Sequence, residues 1–280
     1  MGVDHYENFP VASFLLPRRL REPVACIYRF ARSADDIADE GNAIDSVRLE
    51  RLEQYRHQLL AAAAGLQLAS EPANAMFRSL GEVIRRHRLP CGLFVDLLDA
   101  FSQDVVKKSY VDYTELLDYC RRSANPVGRL LLALLEVSDE RSLAQSDAIC
   151  TSLQLINFWQ DVAVDRAKGR VYFPQDSLAR FGYPPNDHGP STCDYRFRAL
   201  MRFEVERARA LMLTGAPLAR RLGGRFGLEL SHIVQGGLRI LERIETIEFD
   251  VFVRRPVLSW TDWLVIIWRA STGKMRAPVQ

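Results

Sequence analysis

The chain lacks the features that mark several common classes of protein. Its 280 residues include only five cysteines, none of them in a Cys-x-x-Cys pair, so neither a zinc site nor a disulfide framework is expected. Neither sign of charge dominates, because 37 basic residues stand against 35 acidic ones, and this balance argues against a nucleic-acid binder. Glycine-rich phosphate loops, dinucleotide fingerprints and Gly-x-Ser-x-Gly motifs are also missing.

Long hydrophobic runs are equally scarce. The longest apolar stretches, 130–135 and 263–268, fall far short of the roughly 20 residues that a membrane span needs. The N-terminus has no basic region followed by an apolar core, so no signal peptide is predicted. With its isolated cysteines, the chain is therefore expected in the reducing cytoplasm.

Helical periodicity runs through almost the whole chain, whereas strand-like alternation is rare. Since 48% of the residues are hydrophobic, a substantial core can form, and we predict an all-α protein with one domain over 1–280 and a frayed tail at about 271–280. The predicted helices span 24–40, 47–64, 73–87, 91–107, 112–122, 127–137, 142–168, 195–219, 227–249 and 260–270.

One long stretch, 169–194, is rich in proline and glycine and is predicted to be irregular. A loop of this length in a compact domain is usually functional or mobile. Because it follows a polar helix directly, it could fold over the mouth of a cavity. A plain excursion over the surface is the alternative.

The first of two acidic motifs lies near the C-terminal end of the predicted helix 24–40. Asp35 and Asp39 are four residues apart and therefore share one face of that helix. Like charges stacked in this way repel each other, and carboxylates at a helix C-terminus also oppose the macrodipole. A sequence that breaks two local rules at one place indicates function, unless the motif is a solvated helix end.

The second motif is a polar stripe on the otherwise apolar helix 142–168. Asn157, Asp161 and Asp165 recur at intervals of four residues, and Gln154 extends the stripe by one turn. Such a stripe must face water, a partner or a polar cavity. The apolar residues that flank it disfavour a simple amphipathic surface helix.

The two motifs on facing helices would form a cage for hard cations such as Mg²⁺, which in turn could hold a diphosphate. Arg32 lies on the face of the first motif and could pair with a carboxylate or donate to a phosphate oxygen. Tyr28, one turn earlier, could stabilise a carbocation through its ring face, or be an ordinary half-buried tyrosine.

Together with further landmarks, the motifs resemble those of the squalene and phytoene synthase family, the head-to-head prenyl synthases. The landmarks are FPVASFLLP at 9–17, the first motif within 27–39, Tyr119-Cys120, Pro126-Val127-Gly128 and RVYFP at 170–174. The resemblance extends from His5 to about Pro256. It implies the isoprenoid synthase fold, a single all-α domain around a central apolar cavity.

The resemblance also implies roles for individual residues. The metal-binding set would be Asp35, Asp39, Asn157, Asp161 and Asp165. Diphosphate would be bound by Arg32, Gln154, Tyr172 and Arg254. Tyr28 and Tyr119 would line the cavity near the reacting carbons and act in catalysis with Asp35, Asp39 and Asp161. The expected cofactor is Mg²⁺, with more than one ion, and no NADPH is expected.

Three departures from the family pattern narrow the expected reaction. Gln160 stands where the family commonly has arginine, Gly237 where many members have tyrosine, and 123–128 reads SANPVG. With the opening DHYENFPVAS at 4–13, these departures resemble the bacterial hopanoid-pathway branch. That branch removes diphosphate from presqualene diphosphate and adds water to give hydroxysqualene.

The alternatives are enzymes that condense two prenyl diphosphates, such as squalene, dehydrosqualene, phytoene or presqualene diphosphate synthases, and a non-catalytic relative. The expected partner is presqualene diphosphate or another prenyl diphosphate, with no nucleic acid. An enzyme with a hydrophobic substrate could also contact a membrane surface, and the segment 260–268 is the candidate for such a peripheral contact.

Overall fold

The computed structural model describes residues 17–66, 74–184 and 189–272, and all regular secondary structure in these ranges is helical. The helices are Arg18–Asp39 (α1), Asp45–Ala63 (α2), Ala75–His87 (α3), Cys91–Val106 (α4), Tyr113–Ser123 (α5), Asn125–Leu134 (α6), Glu140–Gln160 (α7), Val162–Ala167 (α8), Gln175–Arg180 (α9), Tyr195–Gly215 (α10), Pro217–Leu222 (α11), Gly224–Thr246 (α12) and Trp260–Thr272 (α13). The all-α prediction is confirmed.

Three predicted elements differ from the structure. The helix predicted over 142–168 is interrupted at Asp161, where φ is −107° and ψ is 15°, and it divides into α7 and α8. The helix predicted over 195–219 ends at Gly215, because Pro217 has no amide hydrogen and starts a new helix. The stretch 169–194, predicted to be irregular, contains the short helix α9.

The other helix ends fall within three residues of their predicted limits, except at the start of α1. α1 begins at Arg18, ahead of the predicted start at 24; Pro23 lies within it, and Leu20 and Pro23 are both buried. α13 continues to Thr272, so the first two residues of the predicted tail are helical. Residues 273–280 lie outside the described ranges.

In the ranges that the structure describes, two hydrophobic clusters make up the core. In one, Phe30 of α1 meets the rings of Phe77 and Phe94 edge to face, with centroids 6.3 and 5.5 Å away. In the other, α7 packs along α10, with Trp159 stacked on Phe173 at 4.8 Å. Each cluster therefore supports one of the helices that carry an acidic motif.

The helix α7 is held closely against α10. A side chain at Gly215 would bring a Cβ atom within 2.5 Å of the Gln145 carbonyl oxygen, so only glycine allows this approach. Further along, the Ser152 hydroxyl donates a hydrogen bond to the Ala208 carbonyl at 2.7 Å. Asp139 caps the start of α7 by accepting from the Ser142 amide at 3.0 Å. These contacts fix the position of the second motif.

The last helix, α13, is attached to α12 through charged groups as well as through the buried Ile266. Asp262 is fully buried and pairs with Arg239 at 2.6 Å and Arg243 at 2.7 Å. Glu242 pairs with Arg239 at 2.6 Å and with Arg269 at 2.7 Å. Burial opposes ionisation of Asp262, but hydrogen bonds led by that from Arg243 outweigh it and lower its pKa. Both carboxylates are therefore satisfied inside the protein.

Candidate active site

An open cleft with about 520 Å³ of space brings the two acidic motifs together. Its lining residues are Asp35, Asp39, Asp104, Tyr119, Gln154, Asn157, Phe158, Asp161, Asp165, Lys168, Arg170 and Tyr172. They come from α1, α4, α5, α7, α8 and the segment that follows α8. Eight of the residues predicted from sequence are among them, including all five of the predicted metal ligands.

Arg32 and Tyr28 lie on α1 but are not among the residues that line the cleft. The Arg32 guanidinium pairs with carboxylates of its own helix and its end, at 3.4 Å from Asp35, 2.8 Å from Asp36 and 3.2 Å from Glu40. Of the two roles considered for Arg32, the structure shows the pairing with carboxylates. Tyr28 is half-buried.

The second motif keeps its four-residue spacing across the break between α7 and α8. The Asp161 amide donates to the Asn157 carbonyl at 2.9 Å, and the Asp165 amide donates to the Asp161 carbonyl at 2.8 Å. Helix-type hydrogen bonds therefore continue through the interruption. As a result Asn157, Asp161 and Asp165 all reach the same cleft.

Asp39 receives two basic side chains from the segment after α8. Arg170 donates to its two carboxylate oxygens at 3.0 and 2.5 Å, and Lys168 approaches at 3.3 Å. Burial opposes ionisation of Asp39, but these hydrogen bonds and charges outweigh it and lower its pKa. Gly169, with a φ of +73°, makes the turn that brings Arg170 back to the cleft.

Asp161 is paired with Arg255 through both of its oxygens, one of them at 3.0 Å from Nη2. Beside this pair, the buried side chain of Gln160 donates to the Pro256 carbonyl. The neighbouring Arg254, predicted to bind diphosphate, is exposed and does not line the cleft. Arg255 is thus the arginine that the structure brings to the second motif.

Two carboxyl groups in the cleft have strongly raised pKa values. Burial, reinforced by the charge of Asp161, raises the pKa of Asp165 to about 7. Burial also raises the pKa of Asp104 to about 7, against the hydrogen bond that it accepts from Tyr119 at 2.7 Å. The cleft therefore has more carboxyl groups than its own basic side chains neutralise, which favours the entry of a cation.

One wall of the cleft is aromatic. The rings of Phe158 and Tyr172 stack with their centroids 3.7 Å apart and only 6° between their planes. Tyr119 lies 6.2 Å from each of these rings, and Tyr110 stacks on Tyr172 at 5.8 Å. Ring faces of this kind attract cations without reacting with them.

The donor set of the cleft fits Mg²⁺ held jointly with a phosphate ligand. Among the residues that the structure describes, no three His, Cys, Asp or Glu side chains form a group that could hold a metal. Mg²⁺ rarely needs such a group, because it commonly takes one or two carboxylates, several waters and substrate phosphates. Carboxylate and amide oxygens from both motifs line this cleft, and these are the hard ligands that it prefers.

Five residues of the site were not predicted from the sequence: Asp104, Phe158, Lys168, Arg170 and Arg255. Asp104 could have been noticed as a buried acid near the end of the apolar helix α4. Arg170 opens the landmark at 170–174 but has no periodic neighbours that would place it at a carboxylate. The pairing of Arg255 gives no local signal, because its partner lies 94 residues away.

The described residues form a helical fold whose two acidic motifs share one cleft, and this fold is that of the isoprenoid synthases. A family model described as squalene/phytoene synthase matches residues 3–262. The chain belongs to the squalene/phytoene synthase family, and it is therefore an enzyme that processes prenyl diphosphates.

The relatives that match this chain are named as different enzymes of the family. A hydroxysqualene synthase of Rhodopseudomonas palustris is 36% identical over 86% of this chain and 80% of its own length. A phytoene synthase of Cereibacter sphaeroides is 34% identical over 97% of this chain and 77% of its own. The crystal structure of a squalene synthase from Alicyclobacillus acidocaldarius superposes with a TM-score of 0.79 at 35% identity, covering 88% of this chain and 90% of that one.

Proposed function

We propose that the chain converts presqualene diphosphate into hydroxysqualene and diphosphate. The observation that carries this proposal is one cleft lined by both acidic motifs and by Lys168 and Arg170, with Arg255 paired to Asp161 beside it. Such a cleft suits the departure of one diphosphate group. The similarity to a hydroxysqualene synthase supports the choice of substrate.

The residues that would hold Mg²⁺ are Asp35, Asp39, Asn157, Asp161 and Asp165. When bound, Mg²⁺ supplies Lewis-acid stabilisation of the negative charge on the departing diphosphate. Arg170, Lys168 and Arg255 contribute N–H donors and positive charge to the same group, because each already lies at a carboxylate of the cleft. Breakage of the C–O bond leaves its electron pair on the diphosphate and a carbocation on the substrate.

The aromatic wall then acts on that carbocation. The faces of Tyr119, Phe158 and Tyr172 can stabilise positive charge while it rearranges, and they offer no strong nucleophile. Attack by water forms the new C–O bond, and the proton released can pass to the diphosphate oxygens. No reductant is needed, because water rather than hydride completes the reaction.

Condensation of two prenyl diphosphates is the second candidate. The similarity to a phytoene synthase covers nearly the whole chain and is close in identity to the similarity with the hydroxysqualene synthase. A condensing enzyme must bind two diphosphates and would form presqualene diphosphate itself. The two candidates therefore differ in the substrate that they require.

Product analysis with purified protein and Mg²⁺, without NADPH, tests the proposal. Presqualene diphosphate and farnesyl diphosphate are supplied in separate reactions. We expect hydroxysqualene from the first and no product from the second. Presqualene diphosphate or a coupled hydrocarbon from farnesyl diphosphate would favour the condensing enzyme, and no turnover of either would overturn both candidates.

A further inference from the structure

The outer face of α13 carries a stripe of large apolar side chains. Trp260, Leu264, Ile267 and Trp268 are 75%, 59%, 49% and 53% exposed. At 100° per residue these four positions fall within an arc of about 100°, so they form one continuous face. We define them as the α13 face.

The opposite side of the same helix explains why this face points outward. Asp262 and Ile266 are fully buried, and Arg269 pairs with Glu242 of α12. These contacts set the rotation of α13 about its axis. The α13 face is therefore presented to the surroundings by a helix that is fixed to the body of the protein.

Basic residues outnumber acidic ones in the part of the sequence that carries the α13 face. From Val251 to the end of the sequence the basic residues are Arg254, Arg255, Arg269, Lys274 and Arg276. The one acidic residue in this part of the sequence is Asp262, and it is buried and paired. Arg255 and Arg269 pair with Asp161 and Glu242, whereas Arg254 is exposed and offers its positive charge to an anionic surface.

The segment before α13 connects its exposed residues to the cleft. Arg255 pairs with Asp161, and the Pro256 carbonyl accepts a hydrogen bond from Gln160. Val253 and Val257, two residues to either side of Arg255, are both exposed. Apolar surface therefore begins within a few residues of a side chain that contacts the second acidic motif.

We propose that the α13 face docks on an anionic lipid bilayer. Tryptophan and leucine on one side of a helix, with basic residues nearby, are the composition of an interfacial helix that lies in the plane of a membrane. None of the described helices is long and apolar enough to cross a membrane, which agrees with contact at the surface. A bilayer at this place would deliver a lipid substrate beside the cleft, a reason that rests on the proposed function.

Co-sedimentation with vesicles tests the docking without any substrate, so it can fail independently of the proposed function. One set of vesicles contains phosphatidylcholine alone, and the other contains phosphatidylcholine and phosphatidylglycerol in equal amounts. We expect wild-type protein to bind the anionic vesicles more tightly. We expect Leu264→Ser to weaken that binding at least about tenfold, because the variant lacks an apolar side chain that would be buried in the bilayer.

Leu60→Ser is the matched control. Leu60 is also an exposed leucine on a helix, 45% exposed on α2, and it lies outside the α13 face. This variant should bind vesicles as wild type does, and both variants should keep the wild-type helical content. Equal binding by Leu264→Ser and Leu60→Ser, or no vesicle binding by wild type, would overturn the proposal.

Two further measurements separate charge and self-association from docking. Reversing the charge of the exposed Arg254 with R254E should weaken the preference for anionic vesicles. Sedimentation equilibrium without lipid examines whether the α13 face joins two copies of the chain instead. A wild-type dimer that Leu264→Ser dissociates, with vesicle binding unchanged, would assign the face to a second copy and contradict the bilayer proposal.

Discussion

The Tyr119 hydroxyl donates a hydrogen bond to the Asp104 carboxylate, with 2.7 Å between the two oxygens. Both side chains are buried, and both also line the cleft. The tyrosine that the sequence indicated is therefore positioned by an acid that the sequence did not reveal. Their contact connects the aromatic wall of the cleft to its carboxyl groups.

Replacing Tyr119 with phenylalanine should destabilise the protein by about 1–3 kcal/mol at neutral pH, because a buried carboxyl group loses its hydrogen-bond donor. Urea unfolding measures this change. Tyr110→Phe is the control, since that hydroxyl has only a 3.4 Å contact with Gln103. A loss at Tyr110 as large as that at Tyr119 would show that removal of a buried hydroxyl, rather than loss of the short hydrogen bond to Asp104, causes the destabilisation.

The raised pKa of Asp104 predicts a pH-dependent effect of Asp104→Asn. The carboxyl titrates at about 7 in the folded protein but near 4 in the unfolded chain. Between these values the folded state binds a proton that the unfolded state has lost, so this group's contribution to stability falls as pH rises. The loss begins near pH 4 and levels off above pH 7.

Asparagine keeps the size and the acceptor oxygen but does not titrate. The free energy of unfolding of Asp104→Asn, relative to wild type, should therefore increase by about 2–4 kcal/mol between about pH 5 and pH 8. The measurement is denaturant unfolding in a chelator, since a bound cation would alter the titration. A difference that stays constant with pH would contradict a raised pKa.

Asp35→Ala should reduce turnover of a prenyl diphosphate on the order of 1,000-fold, because Asp35 lines the cleft that would hold Mg²⁺ and diphosphate. Its thermal stability should change little, since its contact with Arg32 is a partly exposed ion pair. Steady-state kinetics and thermal unfolding provide the two readouts.

Asp36→Ala is a close control for this variant. Asp36 is the adjacent residue, it also pairs with Arg32, and its side chain is 41% exposed against 40% for Asp35. It does not line the cleft. Comparable losses of turnover in the two variants would mean that the charge near Arg32 matters rather than the cleft.

Arg255→Ala should reduce turnover by about 10- to 100-fold, because it removes both a donor to the leaving group and the partner of Asp161. Arg254→Ala should have a smaller effect, since its side chain is exposed. Measured kcat and KM for both variants show which of the two arginines contributes more to turnover. A larger loss at Arg254 would support the diphosphate role that family resemblance gives it.

Periodicity accounts for the parts of the site that lie on one helix. The spacing of Asp35 and Asp39, and of Asn157, Asp161 and Asp165, is enough to place each set on one face, and both sets reach the cleft. Local hydrogen bonding explains why the four-residue spacing predicted the position of Asp161 correctly. The helix breaks there, but the amide-to-carbonyl pattern continues.

Contacts between distant parts of the chain were not predictable from spacing. Arg170 and Asp39 are 131 residues apart, and their pairing depends on a turn at Gly169 and on how α1 packs against the other helices. Arg255 was missed beside Arg254 for a similar reason. Two adjacent arginines in a non-helical segment carry no pattern that tells which one turns inward.

The charged attachment of α13 has a consequence for how this sequence can change over generations. Neutralising Asp262 would leave Arg243 without its acidic partner, and neutralising Glu242 would do the same to Arg269, at a cost of about 3–5 kcal/mol. Single substitutions at these positions are therefore disfavoured even where a full apolar replacement would be tolerated. Among related chains, the network of Arg239, Glu242, Arg243, Asp262 and Arg269 should be kept or lost together, as a covarying block.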